Sequence, residues 1–263
     1  MKTKKDSWNS GDAYEYFMGR WSMLMAPVFL QWLNVPSNKS WLDIGCGTGA
    51  LSEAIFQKSL PAKICCVDPS AEFLERAKQK TFQADFHVAN AINLPFPDNA
   101  FDIVVSGLAI NFFPDLMAAL SEMKRVLKKN GTIAAYVWDY SGKMEFLRYF
   151  WDTACELDVK ARDVDEGIRF PICNADKLSK VFKQADLTDI ETTFLDVDIV
   201  FKDFEDYWNP FLGAQGPAGG YLASINKELQ IKIRDTLRGK LPVDSNGSIK
   251  LLARSIAIRA TSN

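Results

Sequence analysis

The chain has 263 residues, a length that fits one domain, or one domain with a substantial insertion. Its formal net charge of −2 argues against the basic surface that nucleic-acid binding requires, and no run of 18 apolar residues predicts a membrane-spanning helix. Five cysteines without C-x-x-C spacing predict reduced thiols in a cytoplasmic protein, with no disulfide framework and no metal site. We therefore expect no nucleic-acid partner and no stable membrane insertion.

The first predicted element is an aromatic-rich helical segment at residues 12–34. Pro27 is expected to break this segment into two helices, because proline lacks the amide hydrogen that the helix interior uses. Arg20 lies among the aromatic residues. It can extend its charged end to water along an apolar surface, or it can bind an anionic ligand. Both interpretations of Arg20 stay open on this pattern alone.

Residues 41–50, WLDIGCGTGA, are the most informative stretch of the chain. A short buried strand is predicted to run into a turn built on Gly45, Gly47 and Gly49, and an apolar pattern with helical spacing follows. Glycine allows positive φ and close approach of a ligand, and the start of the next helix offers unpaired N–H groups. The arrangement is typical of a nucleotide-binding site.

Asp43 discriminates between two classes of nucleotide ligand. Gly45, Gly47 and Ala50 also satisfy the dinucleotide pattern G-x-G-x-x-G/A. A dinucleotide would place its pyrophosphate at this turn, where a carboxylate ~4 Å away would repel it by about 4 kcal/mol at an effective dielectric near 20. A cationic amine or sulfonium would be attracted instead, which favours S-adenosylmethionine over NAD.

Residues 43–49, DIGCGTG, resemble motif I of the class I S-adenosylmethionine-dependent methyltransferases, and downstream segments continue the resemblance. The chain is similar in particular to the small-molecule enzymes of the quinone C-methyltransferase and methyltransferase type 11 group. This resemblance implies a Rossmann-like, doubly wound α/β fold with a seven-stranded, mostly parallel sheet whose last strand is antiparallel. It also implies that the glycine turn, with Cys46, contacts the cofactor and that Arg20 pairs with the cofactor carboxylate.

The second predicted strand, residues 63–67, ends at an acidic residue that fits a ribose site. Asp68 follows the glycine turn by about 20 residues, the spacing that puts an acid beside ribose hydroxyls. This feature suits NAD as well as S-adenosylmethionine. Pro69 and Ser70 come next, and Ser70 is predicted to cap the following helix. The resemblance places Phe73 against the adenine.

Residues 90–98 resemble the family segment that contacts adenine. An acidic residue before alanine is usual there, but this chain has Asn90, followed by Ala91 and Ile92. An amide oxygen can still accept a hydrogen bond from the adenine amine, without the help of a charge. His87, the one histidine, lies in the preceding predicted strand and is expected to pack on a strand face.

Residues 101–106 are predicted to form a buried central strand, with Asp102 as a hydrogen-bond anchor at its start. Its far end faces the crevice where open α/β sheets bind ligands. The resemblance puts Ser106, Gly107 and Leu108 near the methionyl part of the cofactor.

The rest of the chain is predicted to complete the sheet and to carry an insertion. A helix from residue 114 is expected to end at 130–131, before a strand at 132–138. Residues 201–247 combine an aromatic helix, a glycine-dense loop at 213–220 that should be mobile, and a further helix. We expect one methyltransferase domain over 1–263, in which the parts are a helical cover at 1–35, a cofactor-binding core at 36–200, a lid at 201–247 and the final strand at 248–263.

These patterns predict methyl transfer from S-adenosylmethionine to a small-molecule acceptor by in-line displacement, catalysed mainly by positioning. A base is needed only where the nucleophile arrives protonated, so none is assigned. Asn111, Asp139 and Tyr140 are candidate substrate contacts at strand ends. An NAD(P)-dependent oxidoreductase and a non-catalytic S-adenosylmethionine-binding module stay as alternatives, and a monomer or homodimer is expected.

Overall fold

A seven-stranded sheet is the central element of the computed structural model, which describes residues 15–81 and 83–262. Its strands in chain order are β1 (Ser40–Ile44), β2 (Lys63–Asp68), β3 (Asp85–Val88), β4 (Phe101–Gly107), β5 (Leu127–Trp138), β6 (Thr188–Phe201) and β7 (Ile249–Thr261). The spatial order is β3-β2-β1-β4-β5-β7-β6. The first five strands pair in parallel, and β7 runs antiparallel to β5. The predicted fold class is confirmed.

The strand order reverses between β1 and β4. The chain builds outward from β1 through β2 to β3, then returns to place β4 on the other side of β1. Ligands of open α/β sheets bind at the carboxyl ends of the strands that flank such a reversal. The topology therefore predicts a ligand site at the residues just after β1 and β4.

The described residues form two compact units. The second unit comprises 22–138, 172–195 and 255–262. Its helices lie at Ala50–Ser59, Ala71–Lys80, Leu116–Val126 and Ala175–Gln184, with most of Arg20–Leu33 and a 3₁₀ turn at Ile110–Phe112. Buried apolar residues fill its interior, and the central strands β1 and β4 are almost wholly enclosed.

The first unit comprises 15–21, 139–171 and 196–254. It holds a π-helical turn at Glu15–Gly19, short helical pieces at Val159–Asp163 and Glu166–Arg169, and longer helices at Glu145–Leu157, Phe204–Leu212, Gly216–Ser224 and Lys227–Lys240. Its core is aromatic: the rings of Phe150 and Phe211 stack at 4.5 Å, and the Tyr207 hydroxyl donates to the Phe146 carbonyl at 2.9 Å. The predicted aromatic face of the helix Phe204–Leu212 is confirmed.

Three local predictions are wrong. Pro27 lies inside the helix Arg20–Leu33 and does not break it, because burial of Met25, Ala26 and Phe29 on that helix outweighs one missing hydrogen bond. The helix before β5 ends at Val126, since Leu127 already pairs with Phe101.

The glycine-dense loop is the third correction. It becomes helical from Gly216, and its Pro217 occupies the first turn, where a proline fits. A Cβ on Gly219 would lie 3.0 Å from the Ala214 backbone, so glycine permits close packing there. The division into cover, core and lid stays a prediction.

None of the helices within 15–81 and 83–262 combines the length and the apolar character needed to cross a membrane.

Asp102 anchors β4 to β1, as predicted. Its Oδ2 accepts from the Ser40 amide at 2.8 Å, from the Ser40 hydroxyl at 2.6 Å and from Lys128 Nζ at 3.1 Å. Burial alone would raise the pKa of Asp102, but these hydrogen bonds outweigh it and lower the pKa to about 2. The carboxylate form is therefore stabilised in the folded state.

We expect Asp102→Ala to lower the free energy of unfolding at pH 7 by about 1–3 kcal/mol, measured by urea denaturation. Because the folded pKa lies below the unfolded value, this contribution is complete above pH 4 and is lost as the pH falls towards 2. The control is Asp98→Ala, which removes an exposed carboxylate paired with Arg125 and should cost under about 0.5 kcal/mol. Equal effects of the two substitutions would contradict the anchoring role.

Candidate functional site

The turn after β1 is a left-handed glycine loop. Gly45, Gly47 and Gly49 have φ values of 71°, 54° and 88°, a region that side chains disfavour. The Gly45 amide donates to the Val67 carbonyl at 2.7 Å, and the Gly49 amide donates to the Cys46 carbonyl at 2.9 Å. A Cβ on Gly47 would meet no atom within 4 Å, so the middle of the turn borders open space.

Asp68 fixes this turn from the neighbouring strand. One carboxylate oxygen accepts from the Gly47 amide at 2.9 Å, and the other accepts from the Ser70 amide at 2.8 Å. Burial raises the pKa of Asp68, while these two backbone donors oppose the shift. Ser70 caps the next helix by accepting from the Phe73 amide at 3.2 Å, as predicted. Asp68 therefore joins the end of β2 to the glycine turn.

Asp43 lies fully buried beneath the turn. Its Oδ2 accepts from the Ser52 hydroxyl at 2.6 Å, and its Oδ1 has no hydrogen-bond partner among the described residues. Burial raises the pKa of Asp43 to about 7, with a smaller contribution from the charge of Asp68, and the Ser52 hydrogen bond opposes the rise. The group is thus poised to change its protonation state near neutral pH.

Two thiols extend this buried network. Cys66 Sγ donates to the Ser52 hydroxyl at 3.1 Å, and Cys46 is hydrogen-bonded to Cys66. That hydrogen bond, followed by burial, raises the pKa of the Cys46 thiol well above its ordinary value. The Cys46 thiol is therefore held in its protonated form at neutral pH. Ser52 was missed from the sequence, although its position on the first turn of the helix after Gly49 could have signalled a contact with β1.

The chain leaves β4 through an irregular segment. Ser106 is fully buried, and its hydroxyl has no partner among the described residues. A Cβ on Gly107 would lie 2.9 Å from the Tyr136 hydroxyl, so glycine is required at this position. Leu108 has φ of 58°, a strained value for a bulky residue, and its amide donates to the Tyr136 carbonyl at 2.8 Å.

The segment predicted to contact adenine forms a tight turn after β3. Asn90 is exposed, and its Oδ1 accepts from the Ile92 amide at 3.3 Å. Ala91 is buried and Ile92 is 39% exposed. His87 packs edge-on against Phe96 at 4.9 Å, so its predicted place on a strand face is confirmed.

Fifteen of the predicted cofactor residues belong to the second unit, and Arg20 belongs to the first. In that unit the Arg20 guanidinium donates to Asp206 at 2.8 Å and lies 4.1 Å from the Trp21 ring. Asp139 and Tyr140 are also in the first unit, where the Asp139 carboxylate accepts from the Lys143 amide at 3.0 Å. Pairing of Arg20 with a cofactor carboxylate stays a prediction.

A groove of about 340 Å³ lies within the first unit, between two helices. Trp208, Leu212, Ile231 and Arg234 contribute to its lining. No predicted site residue lines this groove. Among the described residues, no cluster of three or more His, Cys, Asp or Glu side chains could hold a metal ion.

A family model described as a methyltransferase domain matches residues 42–135. The chain is 31% identical over 179 residues to a demethylmenaquinone methyltransferase of Staphylococcus saprophyticus subsp. saprophyticus, covering 60% of this chain and 74% of that relative. The chain belongs to the class I S-adenosylmethionine-dependent methyltransferases.

The chain is also similar to one further relative in sequence and to one solved structure in fold. It is 39% identical over 111 residues to the demethylmenaquinone methyltransferase of Bacillus licheniformis, an alignment covering 40% of this chain and about half, 47%, of that relative. The solved structure of Haemonchus contortus phosphoethanolamine N-methyltransferase 2 with S-adenosyl-L-methionine superimposes with a TM-score of 0.59 at 16% identity. That superposition covers 96% of this chain and 56% of the other, and it supports the fold.

We expect Asp43→Asn to change how the stability of the methyltransferase depends on pH. The folded pKa of Asp43 is about 7 against an ordinary value of 3.8, so the folded state binds the extra proton between these values and stability falls as pH rises. The neutral amide removes this loss. Relative to wild type, the variant should therefore gain about 2–3 kcal/mol in unfolding free energy from pH 5 to pH 8.

Urea denaturation of both proteins at the two pH values measures this difference, in which the other titrating groups cancel. A difference between the proteins that does not change with pH would show that Asp43 titrates normally.

Proposed function

We propose that the protein transfers a methyl group from S-adenosylmethionine to a small aromatic acceptor that carries ring hydroxyl groups. The cofactor assignment rests on two hydrogen bonds, which the Gly47 and Ser70 amides donate to the Asp68 carboxylate. They hold a buried carboxylate at the edge of an open glycine turn. Each of its oxygens keeps a second lone pair for a ribose hydroxyl.

The charges around the turn support a cationic ligand. Asp43 and Asp68 are both acidic and both buried, and within 15–81 and 83–262 no lysine or arginine side chain hydrogen-bonds to either. A pyrophosphate would be repelled by Asp68 and by the ionised fraction of Asp43. A bound cation would lower the pKa of Asp43 and favour its charged form. These features favour S-adenosylmethionine over a nicotinamide dinucleotide.

The chain has residues suited to the ribose, the adenine and the methionyl chain of the cofactor. Asp68 would accept from the ribose, Phe73 and the turn at Asn90 would face the adenine, and Ser106 to Leu108 would lie by the methionyl chain. S-adenosylmethionine supplies a methyl group that is already activated on sulfur. The protein therefore has to position the acceptor, which can contribute as much as ~7–11 kcal/mol to the rate.

The acceptor class is inferred from the relatives. The proteins with the aligned sequences are named demethylmenaquinone methyltransferases, and the chain spans about half of the first of them. The acceptor class proposed for this chain is therefore the reduced form of a bicyclic quinone, a naphthalene ring that carries two hydroxyl groups. The proposal includes a cytoplasmic protein that acts as a monomer or homodimer.

Calorimetric titration with S-adenosylhomocysteine, S-adenosylmethionine and NADH tests the cofactor. We expect micromolar binding of the first two and none of the third. Binding of NADH alone would replace the proposal with an oxidoreductase. Transfer of a labelled methyl group to an acceptor then separates an enzyme from a module that only binds S-adenosylmethionine.

We expect Asp68→Ala to weaken S-adenosylhomocysteine binding at least tenfold, which corresponds to about 1.4 kcal/mol. Asp68→Asn, which keeps the shape of the side chain, should also weaken it. Asp85→Ala is the matched control, because Asp85 is an exposed acid at the start of β3 that pairs with Lys63. Thermal unfolding checks that each variant is folded. An unchanged affinity in both Asp68 variants would remove Asp68 from the ribose site.

A further inference from the structure

Four of the ten buried side-chain polar atoms that lack a hydrogen-bond partner in the described part of the chain lie near the strand reversal of the second unit. They include Asp43 Oδ1 after the middle of β1, the Ser106 hydroxyl in β4 and both amide atoms of Asn111. β1 and β4 are neighbours, with Asp43 paired in register with Val105. Such groups cost free energy in a folded protein unless a ligand satisfies them. Their clustering at one end of two adjacent strands indicates a site built for a polar ligand.

Of these residues, Asn111 is the one with two unpartnered polar atoms in its side chain. Its Oδ1 and Nδ2 are both enclosed, and neither has a hydrogen-bond partner among the described residues. The residue lies in the 3₁₀ turn Ile110–Phe112, whose bonds run from the Phe112 amide to the Ala109 carbonyl and from the Phe113 amide to the Ile110 carbonyl. The turn satisfies its own backbone, so the side-chain amide is not needed to hold it.

The turn that carries Asn111 packs directly on the glycine loop. A Cβ on Gly45 would lie 2.6 Å from Ala109 Cβ and 3.4 Å from the Phe113 ring. Asn111 sits between these two contacts in the chain. The strained φ of Leu108 immediately before them gives the segment its course away from β4. An enclosed, unpaired amide is thus held next to the proposed cofactor turn.

We propose that the Asn111 side-chain amide binds the ring oxygen of the methyl acceptor and so orients the ring beside the cofactor. An amide offers a donor and an acceptor together, which suits a ring hydroxyl that both donates and accepts. This inference rests on the proposed function and adds to it a residue that binds the acceptor. Asn111 acts by positioning and is assigned no proton transfer, and Ser106 and Asp43 stay on the cofactor side.

The test uses Asn111→Leu, an apolar side chain of similar size, in the full chain. Binding of 1,4-dihydroxynaphthalene, kept anaerobic, is measured by fluorescence quenching in the presence of saturating S-adenosylhomocysteine. We expect binding at least tenfold weaker than in wild type and a similar loss in kcat/KM for methylation of this acceptor. The affinity for S-adenosylhomocysteine should stay within twofold. Gln83→Leu, which changes an exposed amide in the turn before β3, is the matched control and should bind both ligands as wild type does.

Stability separates this role from a structural one. Because the amide pairs with no other group that the structure describes, Asn111→Leu should not lower the free energy of unfolding. A loss of stability together with a loss of S-adenosylhomocysteine affinity would assign Asn111 to the scaffold and overturn the inference. Unchanged binding of 1,4-dihydroxynaphthalene, or no binding of it by wild-type protein that binds S-adenosylhomocysteine, would overturn the inference and leave the cofactor proposal intact. No binding of S-adenosylhomocysteine by wild-type protein would remove the proposed function and this inference with it.

Discussion

The two hydrogen bonds that Asp68 accepts are the constraint on which the site depends. Three glycines in the left-handed region make a turn that has little stiffness of its own. The carboxylate at the end of β2 holds the middle of that turn through Gly47 and holds the start of the next helix through Ser70. Two parallel strands, a turn and a helix therefore meet at one side chain, and the open surface beside Gly47 has a fixed shape.

A carboxyl group with a raised pKa, that of Asp43, lies beneath the same turn. Asp43 is buried with one oxygen unpaired, and its other oxygen accepts from Ser52, which accepts in turn from Cys66. A carboxyl group in this position is costly to ionise in the protein alone, which is why its pKa lies near 7. A positively charged ligand would offset that cost. Binding of such a ligand and release of a proton are then coupled through one residue.

At the opposite ends of the same strands, the anchoring group is a carboxylate whose pKa is lowered. Asp102 at the start of β4 meets Ser40 at the start of β1, and its pKa is lowered where that of Asp43 is raised. Three hydrogen bonds to the partly exposed carboxylate of Asp102 stabilise the sheet, whereas the unpaired oxygen of the buried Asp43 carboxylate leaves capacity for a ligand. Asp102 thus secures the amino ends of β1 and β4, and Asp43 and Ser106 lie towards their carboxyl ends.

The sequence by itself determined the sheet, the glycine turn, the acid at the end of β2, the Ser70 cap and the Asp102 anchor. The glycine turn and the Ser70 cap depend on residues close together in the chain, which local physics specifies, whereas the sheet was implied by the family resemblance and the Asp102 anchor joins residues 62 positions apart. Tertiary packing decided what local rules misjudged. Burial of one helix face kept Pro27 inside a helix, pairing with Phe101 ended the helix before Leu127, and close packing made a helix from Gly216 onward.

The partners of buried polar side chains were also decided only in three dimensions. Ser52 under Asp43, Asp206 beside Arg20 and the unpaired amide of Asn111 depend on segments brought together by the fold. Hydrogen bonding between side chains far apart in the chain has no period that a sequence could display. The cofactor class could therefore be inferred from the motif, whereas the unpaired amide atoms of Asn111 became visible only in the folded chain.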